Sequence, residues 1–568
     1  MIRKKVISFI VTGLIITGAL FTGCGNNKST ELSKNKETAT TEESAEKGIK
    51  DTIVYGLWSS PTGIFNPILS DTIYDNDVNG LIYSSLIDFD KDLNMIPGLA
   101  DFKVSDDNLK ITFTLKDNLK WHDGQDLTTK DIAFTIKSIA DKDYEGGSYS
   151  SVEKIKGANE YHDGQATEIE GIKVIDNKTI EIELSEVYAP SLLNIGGLSI
   201  IPEHIWSKEP ISTWKTNKEL LENPVGSGPY KISEFKPDQH VKLEAFSDYY
   251  EGEAKTKNFI FKVTNQDTAQ AELVQGTIDI ANISTSKQKE IDNLKSEGLS
   301  VTSYANPNFQ YLGFNLREEK LQDKNVRQAF AYAIDRKLIV EKLLEGNGVV
   351  LNAPMVVSGW AYPGDENLNT YDNNVEKSKE LLKTAGYEDI DNDGILENAK
   401  GEDLKLTLKY PLGDKTREQC APIIQDSLKQ VGVDVELQNM EFKVLMEEVV
   451  GNHEFEMYLM MNTPGFDPDP TPYWHTNASS DEKGVYGWNM SAFRNEKADD
   501  LMNKGLATLD INKRKEIYKD FGILMNEELP WIPLYSQNVI SAYNSKLNNY
   551  EPNTYLGFYD VENWYIEK

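Results

Sequence analysis

Three groups of side chains have types and spacings that could do chemistry. His122 and Asp123 are adjacent, and a histidine oriented by an aspartate is two members of a hydrolytic triad. They stand beside Gly124 in a turn with no nucleophile next to them, so the pair reads as pinning a turn. Asp389, Asp391, Asp393 and Gly394 follow the first positions of a calcium loop, but Lys400 occupies the place where a bidentate Glu would close the site. That stretch reads as a solvated hairpin turn, with a weak calcium site as the alternative. The third group is the loop Thr463 to Pro470, in which Asp467 and Asp469 each precede a proline and Tyr473 and Trp474 follow. A proline drives the residue before it to extended backbone. A carboxylate in such a loop is held in place before any ligand arrives, which spares ordering entropy on binding.

Other catalytic patterns are absent. The sequence has no Walker loop, no dinucleotide glycine pattern, no His-Glu-x-x-His and no Gly-x-Ser-x-Gly elbow. Ser151 and Lys154 match Ser-x-x-Lys, but no Lys-Thr-Gly partner follows, and the six histidines lack metal-ligand spacing. The chain therefore reads as a non-enzyme that calls for no cofactor and no metal. Aromatic side chains on loops offer a different chemistry, an apolar wall for a bound molecule. Trp58, Trp360 with Tyr362, Trp474, and Trp488 with Asn489 are the candidates. With 27 Tyr and 9 Trp in the chain, any one of them can equally be core packing.

The elements that carry these residues are mixed α and β. Ile111, Phe113 and Leu115 alternate with Thr112 and Thr114 as a half-buried strand does, and Thr128 or Thr129 can cap a helix with Ile132, Ile136 and Ile139 on one face. Ile172 to Leu184 reads as a hairpin around Asp176 and Asn177. Val326 to Glu345 reads as one helix, with Asp323 as cap, Gly346 as stop, and Arg327 and Arg336 in surface or interlobe ion pairs. Strand periodicity over residues 404–410 and 433–437 brackets a helix over 416–431, a βαβ unit that implies parallel strands. Cys420 on that helix reads as a buried small hydrophobe.

The amino terminus has Arg3, Lys4 and Lys5, an apolar run from Val6 to Phe21, and Cys24. This reads as a secretory signal, residues 1–23, ending at a cysteine. Residues 24–49 carry almost no large apolar side chain and read as a tether with a reach of roughly 25 to 30 Å. The formal net charge of −32 becomes −35 once the three positive charges of the signal are removed. Such acidity disfavours nucleic acid and anionic lipid headgroups. Only Cys24 and Cys420 are present, so stability rests on core burial.

The block from Lys120 through Trp121, His122 and Asp123 to Gly124, with Leu127-Thr128 and Asp131 to Phe134 behind it, resembles the signature segment of family 5 extracytoplasmic solute-binding proteins. These serve peptide ABC transporters as oligopeptide- and dipeptide-binding proteins. Pro97-Gly98-Leu99-Ala100, Ile201-Pro202-Glu203-His204, Gly226 to Tyr230, Asp267 to Asp279, Val326 to Arg336, Ala385-Gly386-Tyr387 and Asp467 to Pro470 agree with it in order. The resemblance implies a two-lobed α/β fold of the class II periplasmic-binding-protein type with an additional inserted domain. Lobe I would take residues 50–70, 195–305 and 534–568, the inserted signature domain 71–194, and lobe II 306–533. It implies a peptide ligand in the interlobe cleft, ABC permease and ATPase subunits as partners, and a monomer held at the outer face of the membrane by lipid on Cys24, since Thr22-Gly23-Cys24 resembles a lipobox. In related peptide binders an aspartate of the Asp-Pro loop meets the ligand amino terminus; Asp467 is preferred over Asp469, and bracing of the loop by both is the alternative. The same architecture could bind a metal chelate, haem or an oligosaccharide. An extracellular peptidase or glycosidase and a non-transporting sensor are more distant readings.

Overall fold

The computed structural model describes residues 48–285 and 287–568. The signal, Cys24 and the tether as far as residue 47 lie outside the described residues. Among those described, no helix is long and apolar enough to cross a membrane.

Two large sheets define the two lobes. The first is seven-stranded and carries Thr52–Leu57 near its middle, parallel to Asn258–Val263 on one side and to Ile280–Ile283 on the other. The second is six-stranded, with Phe309–Phe314 between Met457–Asn462 and Trp531–Gln537. The chain passes from the first sheet to the second between Tyr304 and Phe309, and returns at Asn538 between Trp531–Gln537 and Val539–Asn544. The two crossings touch, since Ser536 Oγ donates to the carbonyl of Asn306 at 2.9 Å. Two adjacent crossing segments are the geometry of a hinge. The strand ending at Gln537 runs past residue 533, where the lobe boundary was expected, because its amides continue to pair with Gly348–Val350.

A four-stranded sheet, Ala100–Val104, Lys110–Leu115, Thr179–Glu183 and Ile172–Val174, forms the additional domain. Its apolar face, with Ile111, Phe113, Ile180 and Ile182, joins one continuous core with Ile53, Tyr230, Phe259 and Trp564 of the first lobe. The joint is made by the signature residues. His122 accepts the Gly226 N–H at Nδ1 (3.2 Å) and faces the Gly228 carbonyl with Nε2 (3.0 Å), while its backbone N–H donates to the Gly226 carbonyl at 2.8 Å. Asp123 pairs with His204 at 2.7 Å. The backbones approach so closely that a Cβ on Gly226 would lie 2.0 Å from the Ile82 carbonyl oxygen. Burial lowers the His122 pKa to about 4, so the ring works as a neutral donor and acceptor. His122 and Asp123 are thus fully used in holding two domains together.

The expected single helix over 326–345 is two helices, Lys324–Ala333 and Arg336–Leu343. The break comes at Ile334, which is extended, and Asp335, whose side chain caps the second helix by accepting the Leu338 N–H. Arg327 and Arg336 are only 3 % and 4 % exposed, not surface or interlobe pairs. Arg327 donates to the carbonyls of Leu321, Gln322, Glu528 and Leu529, and Arg336 to those of Leu351, Thr370 and Pro533. Five fixed donors per guanidinium suit it to stitch backbone that ends outside regular pairing. The βαβ unit is present as Lys405–Pro411, the helix Lys415–Lys429 and Asp434–Met440, its strands parallel. Cys420 is fully buried there, and burial pushes its thiol up to about 12.

Candidate functional site

The loop that carries Asp467 and Asp469 leaves the carboxyl end of Met457–Asn462, a strand flanked by Phe309–Phe314 and Lys405–Pro411. Ligands of α/β sheets gather at strand carboxyl ends, and here that end faces the other lobe. Phe466 packs its ring at a tilt against Phe89 of the additional domain (centroids 4.0 Å) and Tyr555 of the first lobe (4.9 Å). Tyr555 Oη donates to the Gly465 carbonyl at 3.3 Å, and Ser358 and Thr554 share a hydroxyl hydrogen bond of 2.9 Å. The Ala189 N–H donates to Leu506 O at 2.7 Å. The lobes therefore meet around this loop.

Within it each aspartate caps its own turn. Asp467 Oδ1 accepts the Asp469 N–H and Asp469 Oδ1 accepts the Thr471 N–H, both at 2.9 Å. Beyond that the two differ. Asp467 binds Arg514 through both oxygens, at 2.5 and 2.8 Å. Arg514, 4 % exposed along its side chain, also donates to Gly505 O and Tyr518 Oη and lies under the rings of Trp360 and Tyr518. Burial works against the guanidinium, but the hydrogen bonds and charge of Asp467 hold its pKa above the usual arginine range. Asp467 is thus paired within the protein. Asp469 forms no ion pair among the described residues. Burial raises its pKa, with the Thr471 amide and Arg514 opposing and the Asp467 charge adding. Among the described residues its side-chain hydrogen bonds come from Thr471 alone, and it borders a narrow cavity of about 50 Å³ walled by Trp360, Phe466, Tyr473, Trp474 and Tyr555. Tyr188 approaches from the additional domain; burial and the charges of both aspartates raise its phenol.

A larger compartment of about 850 Å³ lies at the hinge, bordered by Trp58, Asn282, Asn308, Gln310, Met461 and Tyr535. Met461 borders this one and Asn462 the narrow one, so the two are neighbours along one cleft. A third, of about 610 Å³, opens between the additional domain and the second lobe, with Phe102, Leu192, Trp360, Phe466 and Arg514 on its walls.

The structure distributes the expected site residues unevenly. Asp467, Asp469, Trp360 and Trp474 come together at the narrow cavity, with Trp474 buried against Trp531 (4.2 Å) and Trp360 stacked on Tyr518 (6.0 Å). Trp58 is at the hinge compartment, its Nε1–H donating to Asn282 O at 3.2 Å. Trp488 is 53 % exposed and borders none of the three cavities, and Asn489 is buried with its amide spent. Asn489 Nδ2 donates to Trp474 O, His475 O and Phe493 O, and its Oδ1 accepts the Phe493 N–H; it braces the loop and has nothing left for a ligand. Arg514, Tyr518, Tyr188 and Tyr535 were not legible as site residues. The one signal for the first two was their four-residue spacing on a helix, which puts both on one face.

The acidic turn at 389–394 gains a fourth member that sequence spacing missed. Carboxylate oxygens of Asp389, Asp391, Asp393 and buried Glu397 lie within 4.8 Å of one another. Each accepts a backbone N–H of the turn, from Gly394, Asp393, Ile395 and Ile390 respectively, which is the bonding of a self-capped turn.

Two lobes, two crossing segments and a ligand-sized cleft between them define a hinged solute-binding protein. Residues 94–484 match the family described as bacterial extracellular solute-binding proteins, family 5, and the chain belongs to that family. It is 29 % identical to the oligopeptide-binding protein AppA of Bacillus subtilis over the full length of both chains. The crystal structure of that protein in complex with a nonapeptide superposes with a TM-score of 0.69, covering 91 % of this chain and 99 % of that one. The dipeptide-binding protein of Escherichia coli is 28 % identical over 91 % of this chain and 95 % of its own. The substrate-binding protein CtaP of Listeria monocytogenes gives a TM-score of 0.77 at 25 % identity, with 92 % and 100 % covered. The chain is accordingly an extracytoplasmic binding protein and not an enzyme.

Proposed function

We propose that this protein captures peptides, oligopeptides foremost, in the interlobe cleft and presents them to the permease of an ABC importer, itself held at the membrane by lipid on Cys24. The observation that carries the reading is the contrast between the two aspartates of one loop. Asp467 is neutralised by Arg514, whereas Asp469 has no ion pair among the described residues and stands beside an aromatic-walled cavity. A largely desolvated carboxylate without a counter-charge is costly; the α-ammonium of a peptide supplies the missing charge. In this reading Asp469 receives the ligand amino terminus, Asp467 holds the loop, Trp360 and Trp474 wall the first residues, and Trp58 lies farther along the ligand. The likeness to AppA and to the E. coli dipeptide-binding protein supports peptide as the ligand class.

The test is calorimetry with paired peptides, one with a free amino terminus and one N-acetylated, on wild type and Asp469→Asn. A charged hydrogen bond is worth about 1.5–3 kcal/mol, or roughly 10- to 100-fold in Kd. Wild type should prefer the free peptide by that factor, and the variant should lose the preference. Equal affinity of wild type for both peptides would remove Asp469 from the site, and no binding of any peptide would remove the peptide reading.

A further inference from the structure

Residues 549–560, near the carboxyl terminus, contain no helix or strand, yet both ends are fixed in the first-lobe core. Tyr550 is buried and shares a hydrogen bond with Ser541 at 2.7 Å; Phe558 packs against Tyr55 (5.1 Å) and Phe261 (5.6 Å); fully buried Trp564 donates its Nε1–H to the Tyr559 carbonyl at 2.9 Å. Between these roots the tip is a self-capped turn, in which Asn553 Oδ1 accepts the amides of Tyr555 and Leu556 at 3.1 and 3.0 Å. The tip reaches two other bodies. Asn553 Nδ2 donates to the Lys91 carbonyl of the additional domain at 3.4 Å, while Thr554 meets Ser358, and Tyr555 meets Gly465 and Phe466, on the second lobe. The segment is therefore a strap, rooted in one lobe and preformed to touch the other.

Phe89 of the additional domain meets the same ring of Phe466 at 4.0 Å. Opening at the crossing segments separates Phe466 from both Phe89 and Tyr555, because these stand on the far side of the cleft. Phe89, Asn553 and Thr554 border none of the three cavities, so what they add to closure is the same whatever fills the cleft. A contact made only in the closed arrangement shifts the open-to-closed equilibrium by its own free energy, and one aromatic pair changes that ratio by roughly 3- to 10-fold. The loop that receives the contact is stiff. Pro464, Pro468 and Pro470 restrict its backbone and Arg514 holds Asp467, so a hold on Phe466 is a hold on the whole loop.

We propose that the strap and Phe89 form a built-in latch on Phe466, which keeps a share of the molecules closed before any solute binds and sets the Asp-Pro loop in its closed position. Part of the free energy of closure then comes from the additional domain and the carboxyl-terminal strap, and the rest from the solute. The lobes must part to release what they hold, so the latch also slows exit. It concerns closure alone and holds for any solute class, so its failure leaves the peptide reading untouched.

Ser358 Oγ and Thr554 Oγ1 lie 2.9 Å apart across the lobes, so thiols at both positions report closure by cross-linking. Cys420 does not compete, being buried with its thiol pushed up to about 12. The test is oxidation of the full chain carrying Ser358→Cys and Thr554→Cys, freed of bound solute by partial unfolding and refolding, with the linked peptides counted by mass spectrometry and rates normalised to the reactivity of each single thiol. The pair should cross-link with no solute added, and Phe89→Ala in the same background should slow the reaction roughly 3- to 10-fold. Absence of the cross-link in the solute-free protein, or an equal rate in folded Phe89→Ala, overturns the latch. Should Phe89→Ala fold poorly, Asn553→Ala, which loosens the strap tip, must slow the same reaction, and an unchanged rate there overturns it equally.

Discussion

Replacing Asp467 with Asn leaves a buried guanidinium facing a neutral amide. Arg514 is 4 % exposed and Asp467 14 % along their side chains, so water cannot take over the lost charge. Removing one partner of such a pair costs about 3–5 kcal/mol, chiefly from the charge left behind. The Arg514 contacts to Gly505 O, Tyr518 Oη and the Trp360 ring persist and put the expected loss at the lower end, ~3 kcal/mol. Urea denaturation followed by tryptophan fluorescence reads it as a lower midpoint. The double variant Asp467→Asn, Arg514→Met should recover a large part of the loss, because an apolar side chain in place of an orphaned charge is tolerated. Ligand affinity of the single variant, measured where it is still folded, should fall less than that of Asp469→Asn. The opposite outcome is Asp467→Asn unfolding at the wild-type midpoint while peptide affinity falls at least tenfold. Asp467 would then be the ligand carboxylate and Arg514 its support.

Protonation gives three further expectations. Asp469 has a raised pKa, and only its ionised form attracts an ammonium, so affinity for free-amine peptides should fall as pH drops through that raised value, while acetylated peptides show no such dependence; calorimetry across mildly acidic pH decides it. The His122 pKa is about 4 in the folded protein against 6.5 for the free side chain, so the unfolded chain takes up the proton first and stability is lost as pH falls from about 6.5 towards 4, by at most ~3 kcal/mol. His122→Gln, which keeps a donor and an acceptor, should flatten that part of the stability-pH curve, and an unchanged slope would contradict it. Asp77 is raised to about 7 by burial alone; its ionisation costs stability as pH climbs from about 4 to 7, so Asp77→Asn should match wild type near pH 4 and exceed it at pH 8 by ~1–2 kcal/mol, less than the full shift because the side chain stays partly exposed.

The parts of the fold that were legible are those where side-chain periodicity reports burial. Ile111, Phe113 and Leu115 alternate because one face of their sheet packs on the first lobe, and the βαβ unit announces itself by a strand period, a helix period and a strand period in turn. The break at Ile334–Asp335 escaped because the apolar period continues across it; only the capping bond of Asp335 to Leu338 N–H marks the new start. Arg327 and Arg336 escaped for a different reason. Their type predicts the surface, and nothing local reveals that carbonyls as far away as Glu528 and Pro533 arrive to satisfy them.

The site divides along the same line. The Asp-Pro loop could be found because proline fixes local backbone whatever the rest of the chain does. How Asp467 is paired depends on Arg514, 47 residues farther on, and the hinge compartment takes its walls from positions 282, 308 and 535. Such a site has no sequence motif because it does not exist within either lobe. It exists only when the crossing segments bring the lobes together. A ligand that touches walls from both lobes makes its full set of contacts only where the lobes meet. Binding free energy is thereby linked to closure itself, so a molecule that reaches only the Asp-Pro loop should close the lobes less completely than one that also fills the hinge compartment.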